Sequence, residues 1–517
     1  MTTRRELRAQ RAEKSPKAVV RQSGLTSVIA LIGVFSGLLL DLAWGRTFGV
    51  GDNSDAFALA LRLPLAITAI IMIVANQVLV PTFGNWMTGL GPRERGDATS
   101  GVLLFAMVSS TGLALVFTLL AHPLMSVMAP GFGDTPGKLE LATRLTQILA
   151  WYIPCVTGAE VLRCWLNANL VIGFPAAMAL VLNAVAIGVI VFGPERIEIV
   201  PVAYVAGSAV QLLAMAGAAW WKGWRPGRPS LRNPEVRSTI RLFGRPVAGA
   251  ALNPLMRIVE IVVASVLPSG TATILHFGNR LASAVGGTIV FRSIMVTVLP
   301  RLSRAYGRQD LVEVRKMTRL GLRLTLFLAM PMTLVGMACA KPVTEVVFTG
   351  GKFTAAAATT LGLVMVLYAV SFAGSGLQRA LLAPYYAQRE TKTPLRNTIY
   401  GVLANLVLLP VLSVALKGGG NALYAVPIAY SASQYVNVAH AWWRMRSIEG
   451  LERLPLRGSV AGSLGCGLAG GAASLLVLWL LEDVAKPVSA GAGALAGILV
   501  SAVVGALAFR QRGNAPK

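Results

Sequence analysis

Charged and metal-binding residues are scarce in this chain of 517 residues. Only 13% of the residues are charged, and there are three histidines and four cysteines. The histidines, His122, His276 and His440, are too scattered in the sequence to predict a metal cluster. The cysteines lie in apolar segments without CxxC spacing, so we predict that they are small core residues: Cys155, Cys164, Cys339 and Cys466.

Catalytic and nucleotide-binding motifs are also missing. The sequence has no GxxxxGK[ST] loop, and Gly350–Phe353 resembles one only superficially because the spacing and the hydroxyl residue are absent. It has no HExxH or GxSxG motif and no pair of catalytic carboxylates. No aromatic residues are interleaved with a basic patch, which argues against nucleic acid as a partner. We therefore expect neither an ATPase nor another enzyme, and neither a cofactor nor a metal.

Long apolar runs are abundant. The mean hydropathy is +0.65 and 55% of the residues are hydrophobic, which is typical of a polytopic membrane protein. Runs of the roughly 20 residues that cross a bilayer predict an all-α fold with about fourteen transmembrane helices. They fall at about 25–45, 54–81, 98–121, 141–165, 173–193, 199–221, 247–267, 276–300, 317–340, 358–382, 395–415, 422–443, 459–481 and 487–509.

The distribution of charge predicts the orientation of these spans. The formal net charge is +25, and Lys and Arg concentrate after the sixth, eighth, tenth and twelfth spans and at both ends of the chain. The intervening loops are short and nearly uncharged or of mixed charge. Because cytoplasmic loops are enriched in Lys and Arg, we expect both termini to be cytoplasmic. Residues 1–24 are interpreted as a retained basic tail, since no cleavage site for a signal peptide is evident.

The two halves of the chain resemble each other. The matching features are Arg62-Leu63 before Pro81 and Arg280-Leu281 before Pro300, Gly158–Arg163 and Gly374–Arg379, and Asn183 and Asn405. Six spans per half is an even number, so both halves enter the membrane from the same side. We predict two six-helix lobes in parallel pseudo-repeat, residues 25–225 and 226–446, followed by two extra helices in residues 447–517.

Some charged residues inside the spans have an evident partner on their own helix. Glu160 with Arg163, and Arg257 with Glu260, are i,i+3 pairs that can neutralise each other. For these residues we favour a gating or structural role over contact with a substrate. Asp41, in the first span, is placed in the same group.

Three arginines have no obvious carboxylate on their own helix: Arg62, Arg280 and Arg292. A guanidinium in hydrocarbon costs ~3 kcal/mol on insertion scales, so such a residue faces water, a partner or a substrate. Arginine binds phosphate oxygens through two parallel N–H bonds. We therefore predict a central cationic cavity for an anionic, phosphate-bearing cargo; the alternative is that these arginines snorkel or form ion pairs.

Several short motifs, in the same order, resemble the MurJ/MviN family. The run from Leu377 to Leu409 looks like the family's signature, with Tyr-Ala and Thr-Pro before an Asn-bearing span. Other matching pieces are Ser54–Phe57 with Arg62–Pro64, Gln77–Pro81, Ala129–Phe132, Leu166–Ala168 with Phe174–Ala176, Asn279–Leu281 and Phe348–Thr354. Together they cover essentially the whole chain.

The resemblance implies a function and a site. Members of the family belong to the MOP exporter superfamily and move lipid II, the undecaprenyl-pyrophosphate-linked peptidoglycan precursor, across the bacterial inner membrane by alternating access. By that comparison spans 1, 2, 7 and 8 line a cationic cavity, and the last two spans contribute to a groove for the lipid tail. Arg280 matches an arginine that the family needs for transport, and Asp55 matches its acidic residue at the start of the second span. The resemblance thus places Arg280 and Asp55 among the substrate-binding residues.

The sequence departs from the family in the first two spans. The family's first span carries two arginines, whereas the matching run here, Gly33–Asp41, has apolar residues at both places. The family's basic pair in the second span falls near Thr68-Ala69. Each lost phosphate contact is worth ~1.5–3 kcal/mol, so we consider Arg257 and Arg292 as substitutes for the missing cations.

The leading hypothesis is thus a flippase of the cytoplasmic membrane whose cargo is lipid II. Without an ATP site, it would draw on the membrane potential or an ion gradient, which supplies ~2.3 kcal/mol per charge per 100 mV. Two alternatives stay open. One is an exporter of another undecaprenyl-linked glycan or amphiphile, and the other is a non-transporting membrane scaffold that recruits cell-wall synthesis proteins.

Overall fold

The computed structural model describes residues 16–244, 246–247, 259–260, 262–388, 390–416, 421–452 and 454–511; side chains are described for these residues except 16–31, 179, 287–297 and 509–511. Within this part of the chain nearly every element is an α-helix, as the sequence predicts. The helices of the first half are α1 (Pro16–Phe48), α2 (Asp52–Gly89), α3 (Pro92–Leu119), α4 (Ala121–Met128), α5 (Lys138–Ala150), α6 (Tyr152–Ala168), α7 (Gly173–Phe192), α8 (Ile199–Trp221) and α9 (Pro234–Leu242). Those of the second half are α10 (Thr271–Gly307), α11 (Leu311–Phe348), α12 (Ala355–Ala387), α13 (Lys392–Ala415), α14 (Ala425–Met445), α15 (Arg457–Leu480) and α16 (Lys486–Gln511).

Most predicted spans coincide with helices. Among the described residues, ten helical stretches are long and apolar enough to cross a membrane, and they correspond to the predicted spans 2–6, 9–11, 13 and 14. The first, eighth and twelfth predicted spans fall within α1, α10 and α14. The seventh, at about 247–267, lies largely outside the described residues. The protein is therefore an all-α, multi-pass membrane protein.

The ends of the helices follow from local chemistry. Asp310 precedes α11 and its carboxylate accepts a hydrogen bond from the backbone N–H of Glu313 at 3.0 Å. Thr354 does the same for α12, where its hydroxyl accepts from the N–H of Ala357 at 3.2 Å. Such caps satisfy N–H groups that a helix leaves unpaired at its start. The fourth predicted span is broken at Trp151 into α5 and α6, with Pro154 in the first turn of α6, where its missing N–H costs least.

The chain divides into two compact units. The first comprises the described parts of Met1–Thr47, Leu59–Val127 and Thr135–Pro254. The second comprises Phe48–Ala58, Met128–Asp134 and the described parts of Leu255–Lys517. The first turns of α2 thus belong to the second unit, whereas the remainder of α2 belongs to the first.

Equivalent glycines allow close helix packing in each unit. In the first unit, a Cβ added at Gly158 of α6 would lie 2.8 Å from Met107 Sδ and 3.0 Å from Leu212 Cδ1. In the second unit, a Cβ added at Gly374 of α12 would lie 3.1 Å from Gln434 Cβ. Gly158 therefore packs against α3 and α8, and Gly374 against α14. The sequence match of these two glycines corresponds to matching contacts between the fourth and sixth spans and between the tenth and twelfth.

The ends of α8 and α14 carry the same arrangement of aromatic and basic side chains. Arg225 lies over the ring of Trp220 at 4.8 Å, and Arg446 lies over the ring of Trp442 at 5.3 Å. Tryptophan and arginine together are typical of the boundary between hydrocarbon and water. The repeated Trp-Trp-Lys and Trp-Trp-Arg sequences were a signal of the internal repeat that our sequence reasoning missed.

The last two helices pack through small residues, as their composition suggests. Gly470 of α15 approaches Ser501 and the backbone of Gly497 on α16, and Ser501 Oγ donates to the carbonyl oxygen of Cys466 at 3.3 Å. Cys164, Cys339 and Cys466 are buried, which confirms them as core residues, whereas Cys155 is only partly buried.

Candidate functional site

Asp55 is a buried carboxylate that caps a membrane helix. It lies in the first turns of α2 and is 2% exposed. Its Oδ2 accepts from the N–H of Gly270 at 2.7 Å, and its Oδ1 accepts from the N–H and the hydroxyl of Thr273 at 2.8 and 2.7 Å. These groups form the start of α10, where the helix dipole presents partial positive charge. All of them belong to the second unit.

Glycines in left-handed conformations bring the backbone close to this cap. Gly270 has φ +87°, and a Cβ there would meet Val50 Cγ1 at 2.5 Å. Gly49 has φ +72°, and a Cβ there would lie 2.7 Å from the carbonyl oxygen of Lys352. Only glycine adopts such conformations without a steric penalty. Larger side chains at either place would push apart the segments that position Asp55.

An aromatic cluster supports the same region of the second unit. Phe277 of α10, Phe348 at the end of α11 and Phe353 in the following loop are each at most 1% exposed. Their ring centroids are 5.4 to 6.0 Å apart, which is the range of favourable aromatic pairs. The motif Phe348–Thr354, which contributed to the family resemblance, therefore helps to form this packed support.

Two of the predicted cargo-binding arginines lie further along the capped helices. Arg62 is seven residues after Asp55 on α2, and Arg280 is seven residues after Thr273 on α10. At 1.5 Å per residue, each arginine is ~10 Å from the cap along its own helix. Both side chains are partly buried. Arg62 belongs to the first unit and Arg280 to the second.

For the other two predicted cargo-binding arginines, the structure describes no side chain. Arg257 lies outside the described residues. Arg292 lies on α10, but its side chain is outside the described part. Their assignment as substitutes for the missing arginines of the first span therefore stays a prediction.

Glu160 and Arg163 form a bidentate ion pair within the first unit. Arg163 Nε donates to Glu160 Oε2 at 2.6 Å, and Nη2 donates to Oε1 at 2.5 Å. The Glu160 side chain is 5% exposed and that of Arg163 21%. Asn76 Nδ2 of α2 also donates to Glu160 Oε1 at 3.3 Å. The pair thus connects α6 to the same helix that carries Arg62, a link that no local sequence pattern could reveal.

The remaining predicted residues of the gating group are buried. Asp41 of α1 is 1% exposed and Glu260 is 6% exposed. The partner that we predicted for Glu260 is Arg257, which lies outside the described residues. A gating role for either carboxylate stays a prediction.

Polar residues inside other spans hold helices together. Asn183 Nδ2 of α7 donates to Ser36 Oγ of α1 at 2.7 Å. In the second unit, Gln378 Nε2 donates to Asn397 Oδ1 at 2.6 Å, and Asn397 Nδ2 donates to the carbonyl oxygen of Asn437 at 2.8 Å. Gln378 and Asn397 fall within the family signature. These contacts explain why Gln378 and Asn397 persist in that apolar stretch, because each of the two amides bonds to another helix.

These helices define a multi-pass membrane protein with capped, ion-paired and partly buried charges inside its spans. Solved structures share the fold. A lipid II flippase MurJ in an inward closed conformation has a TM-score of 0.78 at 18% identity, covering 94% of this chain and 99% of that one. An inward-facing multidrug resistance MATE family transporter of the MOP superfamily has a TM-score of 0.65 at 14% identity, covering 81% and 97%.

The sequence comparisons identify the family. A family model described as lipid II flippase MurJ matches residues 45–486. The lipid II flippase MurJ of Burkholderia cenocepacia is 26% identical over 419 residues, 77% of this chain and 79% of that protein. The "probable lipid II flippase MurJ" of Rhizobium meliloti is 25% identical over 488 residues, 90% of this chain and 89% of that protein. This chain belongs to the lipid II flippase MurJ family.

Proposed function

We propose that this protein is a flippase that carries lipid II across the cytoplasmic membrane. The observation that carries the proposal is the family match over residues 45–486, together with relatives that are named lipid II flippases. These names favour lipid II over the other amphiphiles and over the scaffold considered from the sequence. The protein acts as a transporter and makes or breaks no covalent bond in its cargo.

The cargo carries a diphosphate, and the proposed clamp for it is Arg280 with Arg62. Both guanidiniums lie on membrane helices and are partly buried, so each is partly removed from the water that would otherwise solvate it. Arginine and phosphate form charge-assisted bonds of ~1.5–3 kcal/mol each. Arg257 and Arg292 are proposed to supply the cations that the first span lacks. Asp55 is proposed to hold the start of α10, so that Arg280 keeps its position across the membrane.

The proposed transport cycle is alternating access between two lobes, residues 25–225 and 226–446, with the helices of residues 447–517 outside the repeat. Exchange between two conformations requires polar contacts that break and reform at low net cost. Glu160 with Arg163, Glu260 and Asp41 are the proposed gating or structural residues. The driving force is the membrane potential or an ion gradient, which supplies ~2.3 kcal/mol per charge per 100 mV.

The proposed orientation places both termini in the cytoplasm. It is supported by the Lys and Arg residues that follow alternate spans, since cytoplasmic loops are enriched in these residues. The basic side chains at the ends of α8 and α14 then lie on the cytoplasmic side. Cell-wall synthesis proteins are proposed partners of these basic loops.

The test is complementation in a bacterium depleted of its own lipid II flippase. The strain receives the wild type, Arg280→Ala, Arg280→Lys or Arg304→Ala. Arg304 is the matched control, because it is an exposed arginine on the same helix, α10. Membrane fractions from each strain are blotted to confirm equal amounts of protein.

We expect growth with the wild type and with Arg304→Ala, and loss of growth with Arg280→Ala. Lysine keeps the charge but not the bidentate geometry, so Arg280→Lys should rescue partially. Rescue by Arg280→Ala as complete as that by the wild type would refute the cationic clamp. Failure of the wild type, at normal levels in the membrane, would refute lipid II as the cargo and favour another undecaprenyl-linked glycan.

A further inference from the structure

A cavity of about 1030 Å³ lies within the second unit. Neither Asp55 nor Arg280 is among its lining residues. It is bounded by the start of α11, the later turns of α12, the end of α14, the loop at 454–456 and the first turns of α15. Its size is at the upper end of the ~300–1,000 Å³ range of pockets that bury organic ligands. The space is therefore sufficient for a lipid chain.

The wall of this cavity is apolar. Leu322 and Leu326 of α11 and Leu381 of α12 are buried leucines on its inner side. Leu464 of α15 lines it too and is 39% exposed, so the apolar wall continues to the surface of the protein. A surface of this kind inside a membrane is covered by hydrocarbon. An acyl chain that enters laterally from the bilayer would contact these leucine side chains.

Three arginines lie at one end of the same cavity. Arg315 is in the first turns of α11, Arg446 directly follows α14, and Arg457 is the first residue of α15. Arg446 stacks on Trp442, which also lines the cavity, at 5.3 Å from the ring centroid. The neighbouring carboxylate of Glu452 is exposed, accepts from the N–H of Gly450 at 3.0 Å and interacts electrostatically with Arg315, but it is not part of the lining. The charged residues of the lining are therefore these three arginines, and their positive charge exceeds the negative charge of the one neighbouring carboxylate.

The start of α15 adds to this positive potential. Leu456 occupies the N-cap position and its apolar side chain accepts no hydrogen bond from the helix. The first N–H groups of α15 therefore point toward the end of the cavity where Arg457 lies, and a helix N-terminus attracts anions. The three arginines supply most of the positive potential, and the N–H groups at the start of α15 add to it.

This cavity differs from the lipid-tail groove that the family resemblance implies for the last two helices. No residue of α16 lines it. On α15, the lining residues lie in the first turns of the helix: Arg457, Gly458, Val460, Ala461 and Leu464. The residues of α15 that contact α16 follow further along the helix: Cys466, Gly470, Ser474 and Leu478.

We propose that the cavity binds an anionic phospholipid of the cytoplasmic leaflet, with its phosphate among the three arginines and an acyl chain along the leucines. The leaflet follows from the proposed orientation, in which the start of α11, the end of α14 and the start of α15 are all cytoplasmic. Basic pockets between membrane helices on that side are suited to anionic headgroups. The bound lipid joins α11, α12, α14 and α15.

Trp442 provides a direct reporter of occupancy, because it lines the cavity. The full-length protein is purified in a neutral detergent and titrated with phosphatidylglycerol or phosphatidylcholine that carries bromine on the acyl chains. Bromine quenches tryptophan fluorescence on contact. The signal of Trp442 is the difference between the protein and its Trp442→Phe variant, which removes the contribution of the other tryptophans.

The site is tested with two matched sets of substitutions. The first is the triple variant Arg315→Gln, Arg446→Gln, Arg457→Gln. Its control is Arg304→Gln, Arg308→Gln, Arg396→Gln, which removes the same charge from exposed arginines of the same unit that do not line the cavity. A third variant, Ala461→Trp in a Trp442-containing and a Trp442→Phe background, fills the cavity and leaves all arginines in place.

We expect phosphatidylglycerol to quench Trp442 at ~10- to 100-fold lower concentration than phosphatidylcholine, as three arginines near a phosphate would provide. The lining triple variant should lose this preference, the control triple variant should keep it, and Ala461→Trp should reduce quenching of Trp442 by both lipids. Equal quenching by the two lipids, or the same loss in both triple variants, would overturn the proposal. So would quenching of Trp442 that purified lipid II reverses at equimolar concentration, because the occupant would then be the cargo.

Discussion

Replacing Asp55 should destabilise the protein through the start of α10. The carboxylate accepts three hydrogen bonds and is 2% exposed. In Asp55→Ala, the N–H groups of Gly270 and Thr273 lose a buried charged acceptor. A hydrogen bond to a charged group is worth ~1.5–3 kcal/mol, so loss of the acceptor of two buried N–H groups costs ~3–6 kcal/mol. At ~2 °C per kcal/mol for a unit of this size, the melting temperature should fall by about 6–12 °C.

Asp55→Asn removes the negative charge and keeps the shape of the side chain. The amide oxygen can still accept from the N–H and hydroxyl of Thr273, but the amide nitrogen then faces the N–H of Gly270, and two donors cannot bond each other. One bond is lost and one N–H stays unsatisfied, which costs ~1–3 kcal/mol. The expected order of melting temperatures is wild type, then Asp55→Asn, then Asp55→Ala.

The assay is thermal unfolding of the full-length protein in detergent, followed by intrinsic tryptophan fluorescence. Asn53→Ala is the control, because Asn53 is an exposed polar residue two positions away. Thr273→Val removes only the hydroxyl, and its effect should be smaller in an Asp55→Ala background, since the two residues share a bond. If Asp55→Ala melts together with Asn53→Ala, the cap does not stabilise the protein. If Asp55 instead contacts the cargo alone, transport would fall without any change in melting.

Further predictions concern the ion pair, the close helix contacts and one carboxylate outside the membrane. Arg163→Met should lower stability by ~3–5 kcal/mol because Glu160 stays buried and charged, and Glu160→Gln in the same chain should restore most of it; a melting double-mutant cycle without such coupling would contradict the pair. Gly207→Ala should destabilise by ~1–3 kcal/mol because its Cβ would lie 2.6 Å from the carbonyl oxygen of Leu182. Gly217→Ala on the same helix, with open space around it, should be neutral or stabilising by up to ~1 kcal/mol; equal melting of the two variants would refute this assignment. Burial raises the pKa of Glu390, but hydrogen bonds from Thr393, including N–H to Oε1 at 2.8 Å, outweigh it and bring the pKa below its usual value. A lowered carboxylate pKa stabilises the folded protein above the unfolded pKa, and this stability is lost as the pH falls through the folded pKa. The melting difference between wild type and Glu390→Gln should therefore be present at pH 7 and shrink below about pH 4, and a difference that is constant with pH would argue against it.

The membrane helices could be predicted from the sequence because the requirement is local. A bilayer demands ~20 apolar residues in a row, so the predicted spans at 173–193 and 199–221 coincide with α7 and α8 within a residue or two. Departures occur where a proline or a cap decides the boundary. The fourth span is broken at Trp151, and α10 begins at Thr271, five residues before the predicted start, because Gly270 and Asp55 together form its N-terminus.

Within the candidate site, the sequence predicted only contacts between residues that are close to each other along the chain. The spacing of Glu160 and Arg163 indicates a pair on one helix face, and the two are in contact. The family resemblance placed Asp55 among the residues for the cargo, and nothing near it in the sequence points to Thr273, 218 residues away. Two further contacts likewise join residues that are far apart in the sequence: Asn183 with Ser36, and Asn76 with Glu160.

The sequence by itself determined the class of membrane protein, the position of most spans, the internal repeat and the family, because each depends on residue type, period and order along the chain. Only the tertiary structure decided which buried charges and amides meet, and that Arg315, Arg446 and Arg457 line one apolar cavity. Long apolar helices separate Arg315 from the other two along the chain, and their common position in the lining arises from how α11, α14 and α15 pack. Helix packing depends on small differences in shape across many contacts, which no single stretch of sequence contains.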